Sequence, residues 1–256
     1  MATKIWTGGA SNGDWTDAGN WSGGVPVNGD DVFIPEGAEA ITTNLGQSAV
    51  TLDSLTVTFA QDIGTAAASL EINVSGVCTI AGRGSTYKIN GTIADLVVQL
   101  PESATCYLSG GTTADADLVS GNLQIEAAAT VTNLYANGGS VTALAGTVFT
   151  FLGVNGAQVE TLRGATTAHV VNGRLIVQGT SAWTTVFGWQ GGILDIRTTG
   201  TMAAVDMNSG SQLLIMNATQ DPAVTNLFIR GTANVQRNAR GISLNPTTTS
   251  EFAAAG

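Results

Sequence analysis

The sequence predicts an all-β protein, a single-stranded right-handed parallel β-helix with an aromatic cap at its amino-terminal end. Turns centred on glycine recur at near-equal intervals in the second half of the chain, and a short apolar segment follows each turn. Such self-similarity is typical of a solenoid, because one coil cannot bury its own apolar face and neighbouring coils must stack to make a core. The glycines are Gly121, Gly138, Gly156, Gly173, Gly191 and Gly210, separated by 17, 18, 17, 18 and 19 residues.

The apolar segments are predicted to be strands rather than helices. Their apolar side chains alternate with Thr, Ser, Asn or Gln, which is the period of two that a strand with one buried face requires. Asn-Gly, Ser-Gly and Gly-Gly pairs would supply the positive backbone torsions of the corners. The predicted first strands are residues 123–125, 141–144, 159–162, 175–177, 193–196 and 213–215, and the predicted second strands are residues 131–134, 148–151, 186–187 and 224–227.

If each coil takes roughly 18 residues, about a dozen coils would stack along the chain. Hairpin-based architectures are the second interpretation. Polar turns at intervals of roughly 8–12 residues also fit a sandwich or a barrel. The prediction of the all-β class therefore covers these alternatives as well, whereas the solenoid is the more specific prediction.

The chain is divided into residues 1–40 as an aromatic cap or attachment module, 41–244 as the β-helix and 245–256 as a tail. The tail is polar and rich in small residues, so by itself it is expected to be mobile. Three of the five tryptophans, Trp6, Trp15 and Trp21, lie within sixteen residues of the first module. An open solenoid end exposes its core and its strand edges, and large rings lying across the first coil would cover that end.

Two other interpretations of the first module are open. The same aromatic faces, beside Asp and Asn side chains, would suit a platform on which a sugar stacks. A calcium site is the third interpretation, although the spacing lacks the alternating oxygen ligands of a dedicated calcium loop. Its oxygen ligands would come from Asp14, Asp17, Asn20, Asp30 and Asp31.

Composition and charge limit the classes of partner. Hydrophobic residues make up 43% of the chain and charged residues only 11%, and the net charge is −10. Residues 1–128 carry 3 basic and 14 acidic side chains, whereas residues 129–256 carry 6 basic and 5 acidic ones. A strongly acidic first half and the lack of a basic stripe in the second argue against nucleic acid as a partner.

Targeting signals and cysteine usage give two further expectations. The first residues lack the charged start and apolar run of a signal peptide, and no stretch reaches the length of a membrane span. We therefore expect synthesis in a cytosol, no export by the general route and no membrane partner. In that setting Cys78 and Cys106 are expected to be two buried thiols rather than a disulfide.

The amino-terminal pattern resembles known surface proteins. The motif W-T-G-G, G-D-W, N-W-S-G-G-V-P, G-D-D-V over residues 6–32 is similar to the start of β-helical repeat proteins of bacterial and phage surfaces, including some autotransporter passengers. It also resembles phage-encoded proteins that begin M-A-T-K-x-W-T-G-G and decorate virions or capsids. The resemblance covers about 35 residues, with residues 47–57 as a weaker continuation. It implies a β-helix with an exposed surface role and no chemistry.

The same resemblance favours a virion over a cell surface. Autotransporter passengers carry an export signal and a carboxy-terminal membrane barrel, and this sequence shows neither pattern. The resemblance implies a location on the virion surface after synthesis in the host cytoplasm. Phage assemblies place such subunits on symmetry axes, which implies a homotrimer.

The search for catalytic residues gives one weak candidate pair. His169 is the only histidine, which excludes a metal motif with two histidines within one chain. A polysaccharide lyase or glycosidase would need two carboxylates at a defined separation. Glu160 and Asp195 share an offset from the preceding turn and lie two coils apart, with Ile176 or Val177 near that position on the coil between them, and we expect two solvated edge charges.

One aromatic segment within the repeat is a candidate contact patch. Trp183, Phe187 and Trp189 lie so close in sequence that a single coil would not easily bury all three rings. An exposed cluster of this kind suits a contact with another subunit or a glycan. Packing in the core is the alternative.

Taken together, the sequence predicts a non-enzymatic structural protein of a virion, a capsid decoration or cement subunit. The expected partners are the major capsid protein, other virion subunits and further copies of this chain. No cofactor and no metal are expected. The alternative is a carbohydrate-binding or carbohydrate-cleaving protein, such as a tail fibre, a spike or an exported adhesin.

Overall fold

The fold is a parallel β-solenoid of about ten turns in which 59% of residues lie in strands. The computed structural model describes residues 2–37, 39–58, 61–216 and 223–237. The predicted tail, residues 245–256, lies outside the described residues. The all-β class and the parallel β-helix are confirmed. The right-handed winding and the role of the tryptophans as a cap stay predictions.

The chain divides into two compact units, Met1–Val131 and Thr132–Gly256. The described part of the first contains a short 3-10 helix, Ala18–Asn20, and nine strands. The strands are β1 (Thr3–Trp6), β2 (Trp21–Ser22), β3 (Asp31–Ile34), β4 (Gly46–Leu52), β5 (Ser54–Val57), β6 (Leu70–Ile80), β7 (Thr86–Gln99), β8 (Thr105–Ser120) and β9 (Asn122–Ile125).

The core of the first unit consists of inward-facing columns in which each coil contributes one residue. Pairing is parallel except between β1 and β2, where Trp6 lies opposite Trp21. Neighbours in the first column are 23, 23, 18 and 20 residues apart. Three of the four separations exceed the 18-residue period, and about ten turns form instead of about a dozen. The columns are Val32, Leu55, Cys78, Leu96 and Ala116, and Ile41, Ile63, Tyr87, Cys106 and Leu123.

The two cysteines are free and fully buried in these columns, as predicted. Cys78 faces Leu55 and Leu96, and Cys106 faces Tyr87 and Leu123, so each thiol acts as a small apolar side chain. Burial raises the pKa of both thiols, that of Cys106 to about 12. The reactive thiolate is therefore scarce at neutral pH.

We expect native protein to react with a thiol reagent such as dithionitrobenzoate only on the timescale of unfolding. After denaturation without reductant the same sample should release two equivalents, because both thiols are then in water. A protein in which Cys78 and Cys106 are replaced by alanine serves as the blank. Rapid modification of the native chain, or no modification after denaturation, would contradict the buried free thiols.

The second unit is built from alternating long and short strands. Parallel pairing joins long strands to long strands and short strands to short strands from coil to coil. The strands are β10 (Thr130–Ala136, which begins at the unit boundary), β11 (Ser140–Ala143), β12 (Phe149–Asn155), β13 (Gln158–Thr161), β14 (Ala165–Val171), β15 (Arg174–Val177), β16 (Trp183–Gly188), β17 (Ile193–Ile196), β18 (Thr201–Met207), β19 (Gln212–Ile215), β20 (Ala223–Ile229) and β21 (Asn234–Arg237).

The six predicted first strands are confirmed as β9, β11, β13, β15, β17 and β19, each of which begins at the predicted residue or one residue earlier. The predicted second strands correspond to β10, β12, β16 and β20. Strands β14 and β18 were not predicted, because their alanine-rich and threonine-rich sequences give a weak apolar pattern. Both segments nevertheless form strands, because they stack on neighbouring strands with larger side chains.

The corners follow the predicted turn chemistry with two local shifts. At four of the six predicted corners the glycine itself has a positive φ. At the other two, the left-handed residue is Gly139 (φ 69°) instead of Gly138, and Asn172 (φ 52°) instead of Gly173. A side chain at position 173 would lie 2.7 Å from the carbonyl oxygen of Ala157, so Gly173 is needed for close packing instead.

Among the described residues no helix is long and apolar enough to span a membrane.

Candidate functional site

The three amino-terminal tryptophans form one packed cluster. The ring centroids of Trp6 and Trp21 are 4.9 Å apart and those of Trp15 and Trp21 are 4.8 Å apart, both with edge-to-face geometry. Trp6 Nε1 donates a hydrogen bond to the carbonyl oxygen of Glu39, and Trp21 Nε1 donates to that of Trp15. Because Trp6 and Trp15 are 0% exposed and Trp21 is 6% exposed, none of them offers a face to a sugar.

The polar residues beside this cluster are hydrogen-bonded to one another. Asp14 accepts hydrogen bonds from Thr16 and from the amide of Asn44, while Asp17 accepts from the amide of Asn12. The hydrogen bond from Asn44, with those from Thr16, lowers the pKa of Asp14. Asp30 lies apart from this group and accepts from the backbone amides of residues 2 and 27. These carboxylates therefore tie loops together, and they do not form one calcium-binding loop.

The predicted patch of Trp183, Phe187 and Trp189 is divided between the inside and the outside of the second unit. Trp183 is 1% exposed and lies opposite Met202 of the next coil, in the core. Phe187 is half-buried on the outer face and Trp189 is 43% exposed. The rings of Phe187 and Trp189 are stacked, with centroids 6.4 Å apart.

The two outer rings belong to a longer row that the sequence analysis missed. We call Tyr135, Phe151, His169, Phe187 and Trp189 the outer aromatic row. Successive centroids are 5.3, 5.3, 5.1 and 6.4 Å apart. The row extends over four successive long strands, from β10 to β16, so four coils each contribute at least one ring.

Gly153 makes the row continuous. In the parallel register Tyr135 is followed by Gly153, His169 and Phe187, at separations of 18, 16 and 18 residues. Because Gly153 has no side chain, the ring of Phe151 lies over it, and a β-carbon there would be 3.1 Å from the Phe151 ring. The row could have been found in the sequence only by aligning coils of unequal length.

Asp195 is the most constrained carboxylate of the second unit. Its side chain is 0% exposed, and it accepts hydrogen bonds from Arg174 (2.5 Å) and Arg197 (2.8 Å). Burial opposes its ionisation, but the hydrogen bonds from Arg197 and Arg174 outweigh burial and lower the pKa of Asp195. The expectation of a solvated edge charge is therefore wrong for Asp195.

Glu160, the other member of the predicted pair, lies in the same outer column as Asp195. Of the two residues predicted to lie between them, Ile176 and not Val177 is in this column, and it is 5% exposed. Glu160 accepts a hydrogen bond of 2.6 Å from the amide of Gln178. A general acid must hold a proton near neutral pH, and a carboxylate with a lowered pKa that two guanidinium groups clamp does not suit that role.

The first unit carries a strip of three carboxylates on the outer face of β7 and β8. Asp95 lies opposite Asp115 of the next coil, and Asp117 is two residues farther along β8. Burial, together with repulsion from Asp95 and Asp115, raises the pKa of Asp117. Within the described ranges no group of three or more His, Cys, Asp and Glu side chains is arranged to hold a metal ion. The strip is therefore not assigned as a metal site.

The structure thus offers a lateral aromatic surface and a buried ion-pair cluster in the second unit, and a buried tryptophan cluster in the first. A search of protein-family models, of curated proteins and of solved structures finds no match for this chain.

Proposed function

We propose that this protein is a non-enzymatic structural subunit on the surface of a virus particle, a decoration or cement subunit made in the host cytoplasm. The observation that carries the proposal is the outer aromatic row. Protein interfaces are enriched in aromatic residues and depleted of charge at their centres. The row lies in a nearly neutral part of the chain, since residues 129–256 carry 6 basic and 5 acidic side chains.

The polar contacts between coils suit a structural role. Ser181 Oγ donates to the carbonyl oxygen of Leu162 on the preceding coil, and Thr198 Oγ1 donates in the same way to that of Gly179. Arg230 makes two hydrogen bonds to Asp206 of the preceding coil. Side chains that link one coil to the next raise the free energy of local opening, and a surface subunit needs such resistance to proteolysis.

The proposed partners are the major capsid protein, other virion subunits and further copies of this chain in a trimer. A subunit that binds several neighbours stabilises them by mass action, because it binds only their assembled form. The trimer is proposed from the resemblance of the amino-terminal motif and from the symmetry axes that such assemblies offer.

A carbohydrate-cleaving function is less well supported. The pair Glu160 and Asp195 was its candidate, and the ion pairs of Asp195 with Arg174 and Arg197 hold that carboxylate ionised. Because Asp195 is also 0% exposed and both of its oxygens accept hydrogen bonds from the arginines, it does not reach a sugar as acid, base or nucleophile.

The proposal is tested by separating particles from the culture that produces this protein on a density gradient. An antibody against the full chain should detect it in the particle band, at a constant ratio to the major capsid protein. Recovery of the chain in the soluble fraction alone, with the capsid protein in the particle band, would overturn the proposal.

The aromatic row is tested with the double variant Phe187→Ser and Trp189→Ser. Its binding to particles stripped of this protein should weaken at least about tenfold, because aromatic anchors dominate interface energetics. Met216→Ser is the matched control, since Met216 is 47% exposed in the same unit and outside the row. If the double variant and the control bind equally well, the outer aromatic row is not part of the interface.

A further inference from the structure

The first unit contains a groove of about 550 Å³ on the outer face of β7 and β8, within the roughly 300–1,000 Å³ that ligand sites occupy. The segment 62–69 forms one wall. Strands β7 and β8 form the floor, with Thr86, Lys88, Tyr107 and Ser109, and Glu126 closes one side. Neither the tryptophan cluster nor the outer aromatic row contributes to this groove.

Side-chain bonds hold the wall in place. Asp62 Oδ1 accepts hydrogen bonds from the backbone amides of Ser85 and Thr86 and from the Ser85 hydroxyl. Lys88 Nζ donates to the carbonyl oxygen of Ala66 at 2.8 Å. The wall is therefore preorganised before any ligand binds, and this lowers the entropic cost of binding.

A β-bulge lies at one floor residue of the groove. Ile89 pairs with Leu108 and Asn90 pairs with Gly110, so Ser109 is an extra residue on β8 without an opposite partner. The hydroxyl of Ser69, on the wall, donates to the hydroxyl of Ser109 at 2.8 Å. Bulges of this kind re-aim side chains and are common next to binding sites.

Tyr107 supplies an aromatic surface at the floor. The ring is half-buried, and the Lys88 ammonium makes a cation–π contact with it, 5.5 Å from the ring centroid. Among the described residues, the hydrogen bonds to the Asp62 side chain all fall on Oδ1. One aromatic face, several hydroxyl groups and carboxylate oxygens thus line a single open groove.

We infer that this groove binds a neutral oligosaccharide. The C–H face of a pyranose packs on an aromatic ring, and its hydroxyl groups bond to carboxylates, hydroxyls and an ammonium. Asp62 and Glu126 outnumber Lys88, and residues 1–128 carry 14 acidic and 3 basic side chains. This charge repels acidic polysaccharides and nucleic acids, so an uncharged glycan is the ligand that the groove favours.

An extended peptide fits this groove less well. Peptides that bind to sheets add a strand to an exposed edge. At the groove, residues 86–88 of β7 lie between β8 and Ile63 of the wall, which bonds to the backbone of Thr86 and Lys88, and residues 105–108 of β8 lie between β7 and β9. These floor residues therefore offer no free edge to a peptide strand. A glycan needs only side chains, which this outer face provides.

The test is isothermal titration calorimetry of the purified full-length protein with cellohexaose, maltohexaose and hexa-N-acetylchitohexaose, and with polygalacturonate as the anionic control. At least one neutral hexasaccharide should bind saturably. Tyr107→Ala should weaken that binding at least about tenfold. Glu126→Gln, which keeps the shape of the side chain, should weaken it as well, and Tyr135→Ala, in the other unit, should leave it unchanged.

Three outcomes would overturn the inference: no saturable binding of any neutral hexasaccharide, unchanged binding by Tyr107→Ala and Glu126→Gln, or tighter binding of polygalacturonate. Far-UV circular dichroism of each variant checks the fold. Since purified protein is used without particles, failure here leaves the proposed particle function untouched, and failure of the particle test leaves this groove untouched.

Discussion

Replacing Trp6 by alanine is expected to lower the free energy of unfolding by about 3–5 kcal/mol. The indole is 0% exposed, packs edge to face on Trp21 at 4.9 Å and donates a hydrogen bond to the carbonyl oxygen of Glu39. The substitution removes the largest type of side chain from the core, leaves a cavity and deprives that carbonyl of its donor. Urea denaturation followed by far-UV circular dichroism measures the effect without relying on tryptophan fluorescence.

Trp189→Ala is the matched control for the cavity. It makes the same substitution at a side chain that is 43% exposed and contacts Phe187 from outside, so the expected loss is below about 1 kcal/mol. Similar denaturation midpoints for the two variants would contradict a structural role for the tryptophan cluster.

Asp195→Asn is expected to lower the free energy of unfolding by about 2–4 kcal/mol. The neutral amide leaves Arg174 and Arg197 without their counter-ion beside Ile176. Both arginine side chains are partly exposed, at 37% and 41%, so water compensates part of the loss. Asp206→Asn is the control: the Arg230 partner of Asp206 is 47% exposed, and a loss of about 1 kcal/mol or less is expected.

The cost of Asp195→Asn should depend on pH in a defined direction. The pKa of Asp195 is lowered in the folded state, so the stabilisation by the carboxylate is complete above the ordinary value of 3.8. It is lost as the pH falls from there through the folded pKa, because the unfolded chain binds the proton first. Urea denaturation of both proteins from neutral to acidic pH should show a constant difference that shrinks only below that value. A difference that grows toward acidic pH would contradict the assignment.

The pattern of alternation determined much of the second unit without any structure. Strands β13 and β17 begin within one residue of their predicted starts, because a strand with one buried face is specified by its own side chains. The position of Glu160 and Asp195 in one outer column, two coils apart, followed from their equal offsets after the turns. The expectation that both cysteines are buried free thiols followed from the lack of an export signal pattern, and both thiols are free and buried.

Other features depended on contacts between coils. Trp183 and Phe187 are four residues apart, so strict alternation would place both on one face. In β16 two consecutive residues, Thr184 and Thr185, face outward, and this shift sends Trp183 inward and Phe187 outward. Strand β18 repeats the shift at Ala203 and Ala204, so it belongs to the coil and not to one local sequence.

The Asp195 ion pairs and the groove beside Tyr107 also separate what the sequence determined from what the tertiary structure decided. The sequence by itself determined that the backbone winds into short parallel strands, since turn residues and alternation act over a few neighbouring positions. Only the tertiary structure brought Arg174 to Asp195 and the wall of segment 62–69 to Tyr107. These contacts join residues about one coil or more apart, and because the coils differ in length, no fixed period in the sequence specifies which side chains meet.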